Sequence, residues 1–124
     1  MELTFNNEKN FACIKLSGSL EQDVILNAFD SAVSDREYKK GMGRVWDFRE
    51  ADLSSISPDV IREMAQYSLK FPAGINDVKV AFVTNRDLEY GFSRMFEMSS
   101  YAETPIRVFR CMNQAEEWIS GQSD

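Results

Sequence analysis

The stretch at residues 44–58, RVWDFREADLSSISP, decides the fold because it joins a strand, a polar loop and a helix start. Residues 45–48 are typical of a buried strand, and residues 51–57 are typical of a polar loop. Ser57 then suits the N-cap of a helix, and Pro58 suits its first position. This strand–loop–helix junction is therefore the first place to look for a working surface.

Two central strands are predicted, and the first has two different faces. Trp46 and Phe48 alternate with Val45 and Asp47, so the aromatic side chains share one face of the sheet. Residues 78–84, VKVAFVT, are apolar at nearly every position. That pattern is typical of a strand that helices cover on both faces.

The residues before this stretch predict a hairpin and one helix. Residues 3–5 and 11–16 flank an asparagine-rich turn, which indicates two antiparallel strands. Ser19 followed by Gln22 fits a capping box, so a helix is expected over residues 20–34. Its core-facing side chains, at helical spacing, are predicted to be Leu20, Val24, Ala28 and Ala32, with Ile25, Phe29 and Val33 beside them.

The remaining residues alternate helices and strands, and the order of all the elements indicates the fold class. The further predicted elements are a helix over 58–70, a helix from Asn85 to about Tyr101, a strand over 106–110 and a helix from Asn113 that docks through Ala115, Trp118 and Ile119. The order β-β-α-β-α-β-α-β-α predicts one α/β sandwich domain over residues 1–124, with its core at about 3–120. Its mixed five-stranded sheet should be mostly parallel, with an antiparallel first strand.

The composition is that of a soluble globular chain, and it disfavours several kinds of partner. The net charge of −6 disfavours nucleic acids and anionic membranes, which attract basic surfaces. No apolar run approaches the ~20 residues of a membrane span, and the first ten residues lack the apolar core of a signal peptide. Cys13 and Cys111 are too few for a disulfide framework, so we expect a cytoplasmic chain with two buried, inert thiols.

The sequence contains no histidine, and this bears on catalysis. Ser-His-Asp and Cys-His chemistry are removed, and two cysteines cannot close a zinc site. An enzyme would have to use carboxylates, lysine, tyrosine or an unassisted serine. We therefore predict a non-catalytic protein without a cofactor or a metal, and keep an enzyme as an alternative.

The strand that ends in Asp47, the serine-rich loop and the helix start, placed after a hairpin and one helix, resemble the STAS domain. This is the SpoIIAA-like fold of the bacterial anti-sigma-factor antagonists, which is related to the CRAL-TRIO lipid-binding domain. The resemblance covers about residues 3–120. It implies a regulatory module that binds another protein rather than a catalyst.

The resemblance also bears on phosphorylation. In antagonist members, a partner kinase phosphorylates a serine in a D-S-x-G-like sequence at the start of the second helix, where a helix N-terminus favours the phosphate. Residues 52–58 of this chain, DLSSISP, contain no D-S pair and no following glycine. Ile56 falls about where the modified serine would be, and Ser57 is one place later. We therefore expect no phosphoserine switch.

Candidate binding residues follow the two central strands, because ligands of open α/β sheets bind beyond the carboxyl ends of the strands. Arg86 suits a carboxylate or a phosphate, and Tyr90, off the inward side of its helix, suits a partner surface or a ligand channel. The full candidate set is Asp47, Arg49, Ser55, Ser57, Asn85, Arg86 and Tyr90. A structural role stays open, with Asp47 capping loop amides and Arg49 solvated or paired with Glu50.

Two functions stay open at this point. The first is a regulatory module that binds a protein partner, either as a monomer or as a homodimer. The second is a carrier or sensor of a small apolar or anionic ligand such as a lipid. That function needs a cavity beneath the third helix, where Met98 and Tyr101 accompany Tyr90. Ser57 and Asn85 also suit plain helix caps.

Overall fold

The computed structural model of the chain describes residues 1–67, 70, 71, 75, 78–85, 87, 90, 91, 94 and 106–121. Its elements, in chain order, are β1 (Glu2–Asn6), β2 (Phe11–Ser19), α1 (Gln22–Ser34), β3 (Gly43–Asp52), α2 (Pro58–Tyr67), β4 (Val80–Val83), β5 (Ile106–Phe109) and α3 (Met112–Ile119). The helix predicted from Asn85 to about Tyr101 lies mostly outside the described residues. The prediction of this helix therefore stays untested.

The sheet has five strands in the spatial order β1-β2-β3-β4-β5. β1 runs antiparallel to β2, and every later neighbour is parallel. Parallel neighbours need a crossover, and α1 and α2 provide it between β2 and β3 and between β3 and β4. The predicted α/β class, with its mostly parallel sheet and antiparallel first strand, is confirmed.

β3 lies between two apolar cores, one on each face of the sheet, and its first six residues, 43–48, are buried. Trp46 and Phe48 pack with α1 on one face of the sheet. Val45 packs with α3 on the other face. The predicted division of this strand into two faces is confirmed. The aromatic face continues onto β4, because the Phe48 ring stacks on Phe82 with 5.6 Å between centroids.

The start of α1 differs from the prediction. The helix begins at Gln22 after Glu21, and no side chain caps it. Ser19 instead ends β2 and pairs with Asp52 of β3. The capping-box prediction is therefore wrong, because the parallel β2–β3 ladder continues past the point where the sequence suggested a turn. The ladder leads into a backbone hydrogen bond of 2.9 Å from Leu20 N–H to the Asp52 carbonyl.

The core-facing stripe of α1 is also narrower than predicted. Val24 is 42% exposed, so its assignment to the core is wrong. The α1 residues that are buried are Ile25, Ala28, Phe29 and Ala32. Because the helix begins two residues later than predicted, Leu20 is buried as part of the preceding connection rather than as a helical position.

The helix that ends the described part of the chain begins one residue earlier than predicted. α3 starts at Met112 after Cys111, without a side-chain cap, so Asn113 does not begin it. Its docking prediction is nevertheless confirmed, since Ala115, Trp118 and Ile119 are buried against the sheet.

Arg44 is the buried cation at the start of β3, with only 1% of its surface exposed. Its Nη1 donates to the Tyr38 hydroxyl at 2.8 Å and to the Ile75 carbonyl at 2.7 Å. The guanidinium carbon also lies 4.9 Å from the centroid of the Phe29 ring. Burial lowers the pKa of Arg44, and the hydroxyl of Tyr38 opposes this effect. Neutral groups and an aromatic face thus hold this cation, and they tie the connection before β3 to the core.

We expect Arg44→Ala to lower the free energy of unfolding by about 2–4 kcal/mol, because it leaves a cavity and removes the donor from two half-buried acceptors. Arg44→Met should cost less, because it fills the volume without a desolvated charge. Urea denaturation followed by tryptophan fluorescence measures both. Equal losses for the two variants, or none for alanine, would contradict this role.

Candidate functional site

The candidate site lies where β3 ends, beside a bulge in its pairing with β2. Lys15 pairs with Asp47, but Ser17 pairs with Glu50. Two residues of β3, Phe48 and Arg49, therefore stand opposite one residue of β2. A bulge of this kind bends the strand and redirects side chains. Arg49, two residues after Asp47, lies at this bulge, and its side chain bonds with Asp47.

Asp47 and Arg49 form a bidentate ion pair. Nε of Arg49 lies 2.9 Å from Oδ1 of Asp47, and Nη2 lies 2.8 Å from Oδ2. The backbone N–H of Arg49 donates to the same Oδ1 at 3.1 Å. The Asp47 side chain is only 3% exposed, whereas that of Arg49 is 40% exposed. The buried carboxylate thus orders a guanidinium whose other edge is open to a partner.

The pKa values of the two groups follow from this geometry. Burial acts to raise the pKa of Asp47, but the hydrogen bonds and charge of Arg49 outweigh it, so that pKa lies below its usual range. The hydrogen bond to Asp47 raises the pKa of Arg49. Both groups are therefore held in their charged forms, and Asp47 is poorly suited to accept a proton in catalysis.

A second ion pair lies beside the first on the same face of the sheet. Nζ of Lys15 is 2.6 Å from Oε2 of Glu50, with side chains 37% and 60% exposed. Arg49 is partly exposed, as the structural alternative expected, but it pairs with Asp47 rather than with Glu50. Glu50 stands opposite Ser17 in the ladder, and its side chain reaches Lys15 instead. The hydrogen bond with Glu50 raises the pKa of Lys15. We call Lys15, Arg49 and Glu50 the strand-end surface.

The loop after β3 is anchored by apolar residues and displays its serines. Leu53 and Ile56 are buried among the side chains of the α1 core. Ser54, Ser55 and Ser57 are exposed. The backbone N–H of Val60 donates to Oγ of Ser57 at 3.3 Å, which confirms the predicted N-cap of α2. Ile56, between these serines, points into the core and is 4% exposed.

The candidates after β4 are only partly described. Asn85 is exposed and leaves the sheet beside the end of β3, since Asp47 pairs with Val83. Arg86 lies outside the described residues. Tyr90 is half-buried under Arg110, whose guanidinium carbon lies 4.2 Å from the centroid of the tyrosine ring. Tyr90 is thus associated with the end of β5 rather than with the Asp47–Arg49 pair.

The sequence prediction missed Lys15 and Glu50. Their pairing depends on the register between β2 and β3, and on a bulge that shifts that register by one residue. Alternation along β2 places Lys15 on the same face as Cys13, but it does not say which residue of β3 stands opposite. Finding this pair would therefore have required the register between β2 and β3.

The two cysteines also differ from the prediction. Both were expected to be buried, but Cys111 is exposed and Cys13 is half-buried. Cys111 occupies the N-cap position of α3, outside the core that its helix covers. Burial, followed by the negative charges of Asp47 and Glu116, raises the pKa of Cys13 to about 11. Cys13 is therefore a protonated thiol rather than an activated nucleophile.

The described residues also bear on metal binding and on membranes. Among them, no group of three cysteine, aspartate or glutamate side chains is placed to hold a metal ion. None of the helices within the described ranges is both long and apolar enough to cross a membrane.

Comparison with known proteins identifies the fold. No family model matches the chain, and no curated protein matches it. It is similar to the crystal structure of an uncharacterized protein of the DUF3478 family, from Shewanella loihica PV-4, which has a SpoIIAA-like fold. The TM-score is 0.60 at 15% identity, over 95% of this chain and 90% of that one. The fold is therefore SpoIIAA-like, as the sequence predicted.

The lowered pKa of Asp47 predicts how stability depends on pH. The paired carboxylate stabilises the fold above its unfolded pKa, near 4, and the stabilisation is lost as pH falls through the lower folded pKa. We expect Asp47→Asn to cost about 1–2 kcal/mol at pH 7, a figure discounted because Arg49 is partly exposed. The difference should shrink in urea denaturations below about pH 4. A constant difference down to pH 3 would refute it.

The two thiols should react at very different rates. At pH 8 only about one Cys13 thiol in a thousand is ionised if its pKa is about 11. Iodoacetamide should therefore modify exposed Cys111 first, and mass spectrometry of peptides should show slow modification of Cys13. Unfolding in urea provides the control, since it should remove the difference. Equal native rates at pH 8 would show that Cys13 is not protected.

Proposed function

We propose that this protein is a non-catalytic, cytoplasmic regulatory module that binds a protein partner through the strand-end surface. The observation that carries the proposal is the bidentate Asp47–Arg49 ion pair, which holds a partly exposed guanidinium in one orientation. A preordered side chain loses less conformational entropy on binding than a free one. The partner would present carboxylates to Arg49 and Lys15 and a basic group to Glu50.

The proposal excludes catalysis because of how the charged groups at this site are satisfied. Asp47 accepts three hydrogen bonds from Arg49 and is 3% exposed, so it offers little to a substrate. Lys15 and Glu50 neutralise each other at the surface. A catalytic acid or base instead needs a pKa near the working pH and access to the reacting atom. These groups are better suited to complementary contacts.

The proposal also includes no phosphoserine switch in the loop after β3. At the family's modified position this chain has Ile56, which is 4% exposed. The hydroxyl of Ser57 already caps α2 through Val60. Regulation would then come from the partner's concentration or state rather than from a phosphate on this loop. Assignment to the cytoplasm rests on the two unpaired cysteines, which suit a reducing compartment.

Binding of a small ligand is the second candidate function. The cavity expected beneath the third helix falls outside the described residues. A different cleft favours this candidate, and it lies between the β1–β2 hairpin and α3 with a volume of about 500 Å³. That volume is within the range of small-molecule sites, about 300–1,000 Å³.

The partner hypothesis is tested with Glu50→Ala, which removes an exposed carboxylate from the strand-end surface without burying a charge. The wild-type protein, used as bait in a lysate of its source organism, should retain a specific protein whose affinity can then be measured after purification. We expect Glu50→Ala to weaken that affinity about tenfold, mainly through a faster dissociation rate.

Glu37→Ala is the matched control, because Glu37 is also exposed but lies in the connection between α1 and β3. It should leave the affinity unchanged. The proposal fails if no protein is specifically retained, or if the two variants weaken binding equally. Circular dichroism of both variants checks that the fold is retained.

A further inference from the structure

The cleft between the first hairpin and α3 joins two parts of the chain that lie about a hundred residues apart. Its volume is about 500 Å³. The hairpin side is lined by Thr4, Phe5, Asn6, Asn7, Glu8, Phe11 and Cys13, and the helix side by Met112 and Glu116. It is separate from the strand-end surface, none of whose three residues lines it.

The inner part of the cleft is lined by apolar and polarisable side chains. Phe11 is 5% exposed and belongs to the core that α3 covers. Cys13 and Met112 pack against the same core. One aromatic ring, a thioether and a protonated thiol form a wall suited to an apolar body or to the face of a cation.

The charges that line the cleft are all negative. Glu8 and Glu116 contribute carboxylates, and none of the nine lining residues is a lysine or an arginine. Glu116 is half-buried as a residue, and among the described residues its carboxylate has neither an ion pair nor a hydrogen bond. An unpaired carboxylate beside an apolar wall favours a cationic group.

The carboxylate of Glu116 also acts on the Cys13 thiol, which lines the same cleft. After burial, the charges of Asp47 and Glu116 are the largest effects that raise the pKa of Cys13. Arg49 and a hydrogen bond from Thr4 oppose them. Asp47 and Arg49 largely compensate each other through their ion pair, which leaves Glu116 as the remaining charge that acts on this thiol.

One feature of the cleft, the partial positive charge of a helix N-terminus, favours an anion instead. That charge is smaller than the carboxylate charges that line the cleft. Met112, at the N-terminus of α3, lines the cleft, and that terminus has no side-chain cap. A helix N-terminus carries about half a unit of positive charge. Two full carboxylate charges, on Glu8 and Glu116, outweigh it. The net preference of the cleft is for a cation.

We propose that this cleft binds a small organic cation, with an ammonium group near Glu116 and an aromatic or aliphatic body against Phe11 and Met112. The amides of Asn6 and Asn7 and the hydroxyl of Thr4 line the hairpin side, where they can accept hydrogen bonds from the ammonium or from polar groups of the body. The proposal is independent of partner binding at the strand-end surface.

Three isosteric probes test the charge preference: benzylamine, benzyl alcohol and benzoate. Titrations followed by ¹⁵N–¹H NMR should show benzylamine shifting the amide signals of the hairpin and of the first turns of α3. Benzyl alcohol should bind about tenfold more weakly, and benzoate should leave these signals unchanged. A benzoate response equal to that of benzylamine, or no response to benzylamine, would overturn the proposal.

Glu116→Gln tests the residue assignment, with Glu117→Gln as the matched control on the same helix. Glu117 is exposed and does not line the cleft. Glu116→Gln should weaken benzylamine binding about tenfold, whereas Glu117→Gln should leave it unchanged. Equal effects of the two variants would refute a specific role for Glu116. The spectra themselves show whether each variant is folded, and the three-probe comparison on the wild-type protein stands without them.

Discussion

The bond between buried Asp47 and half-exposed Arg49 is the constraint on which the end of the sheet depends. Moving a carboxylate into a protein interior is costly unless hydrogen bonds replace those it made with water. Asp47 receives three such bonds from a single residue, through Nε, Nη2 and the backbone N–H of Arg49. Arg49 lies two residues after Asp47 along β3, within reach of its carboxylate. The pair therefore holds the chain at the point where the β2–β3 register shifts.

The two buried charges of β3 also help to specify its register in the sheet. β3 carries a buried cation near its start and a buried anion near its end, but the two are held by different kinds of contact. Neutral oxygens and an aromatic ring hold Arg44, whereas a formal counter-charge holds Asp47. Between them, Trp46 faces one core and Val45 the other. A shift of one residue along β3 would exchange these faces and expose both charges to the wrong surroundings. The two ends thus help to specify the register.

The order of the strands and helices was enough to predict the fold class, and alternation along a single strand was enough to predict the faces of β3. Trp46, Phe48 and Val45 occupy the predicted sides because side-chain direction in a strand depends only on the strand itself. The Lys15–Glu50 pair was missed because it depends on a bulge between two strands. The capping box at Ser19 failed for the same reason, since pairing with Asp52 outweighed a local helix signal. The cleft at the hairpin was also beyond prediction, because its two walls lie about a hundred residues apart in sequence.

The central claim is that buried Asp47 holds the guanidinium of Arg49 in one orientation at the edge of the sheet. NMR relaxation of arginine side-chain Nε–H groups measures this directly, and exposed Arg36 serves as an internal reference in the same spectrum. Our account predicts an order parameter for Arg49 Nε near that of rigid backbone, about 0.85, and a value below about 0.6 for Arg36. An Arg49 value as low as that of Arg36 would contradict the account.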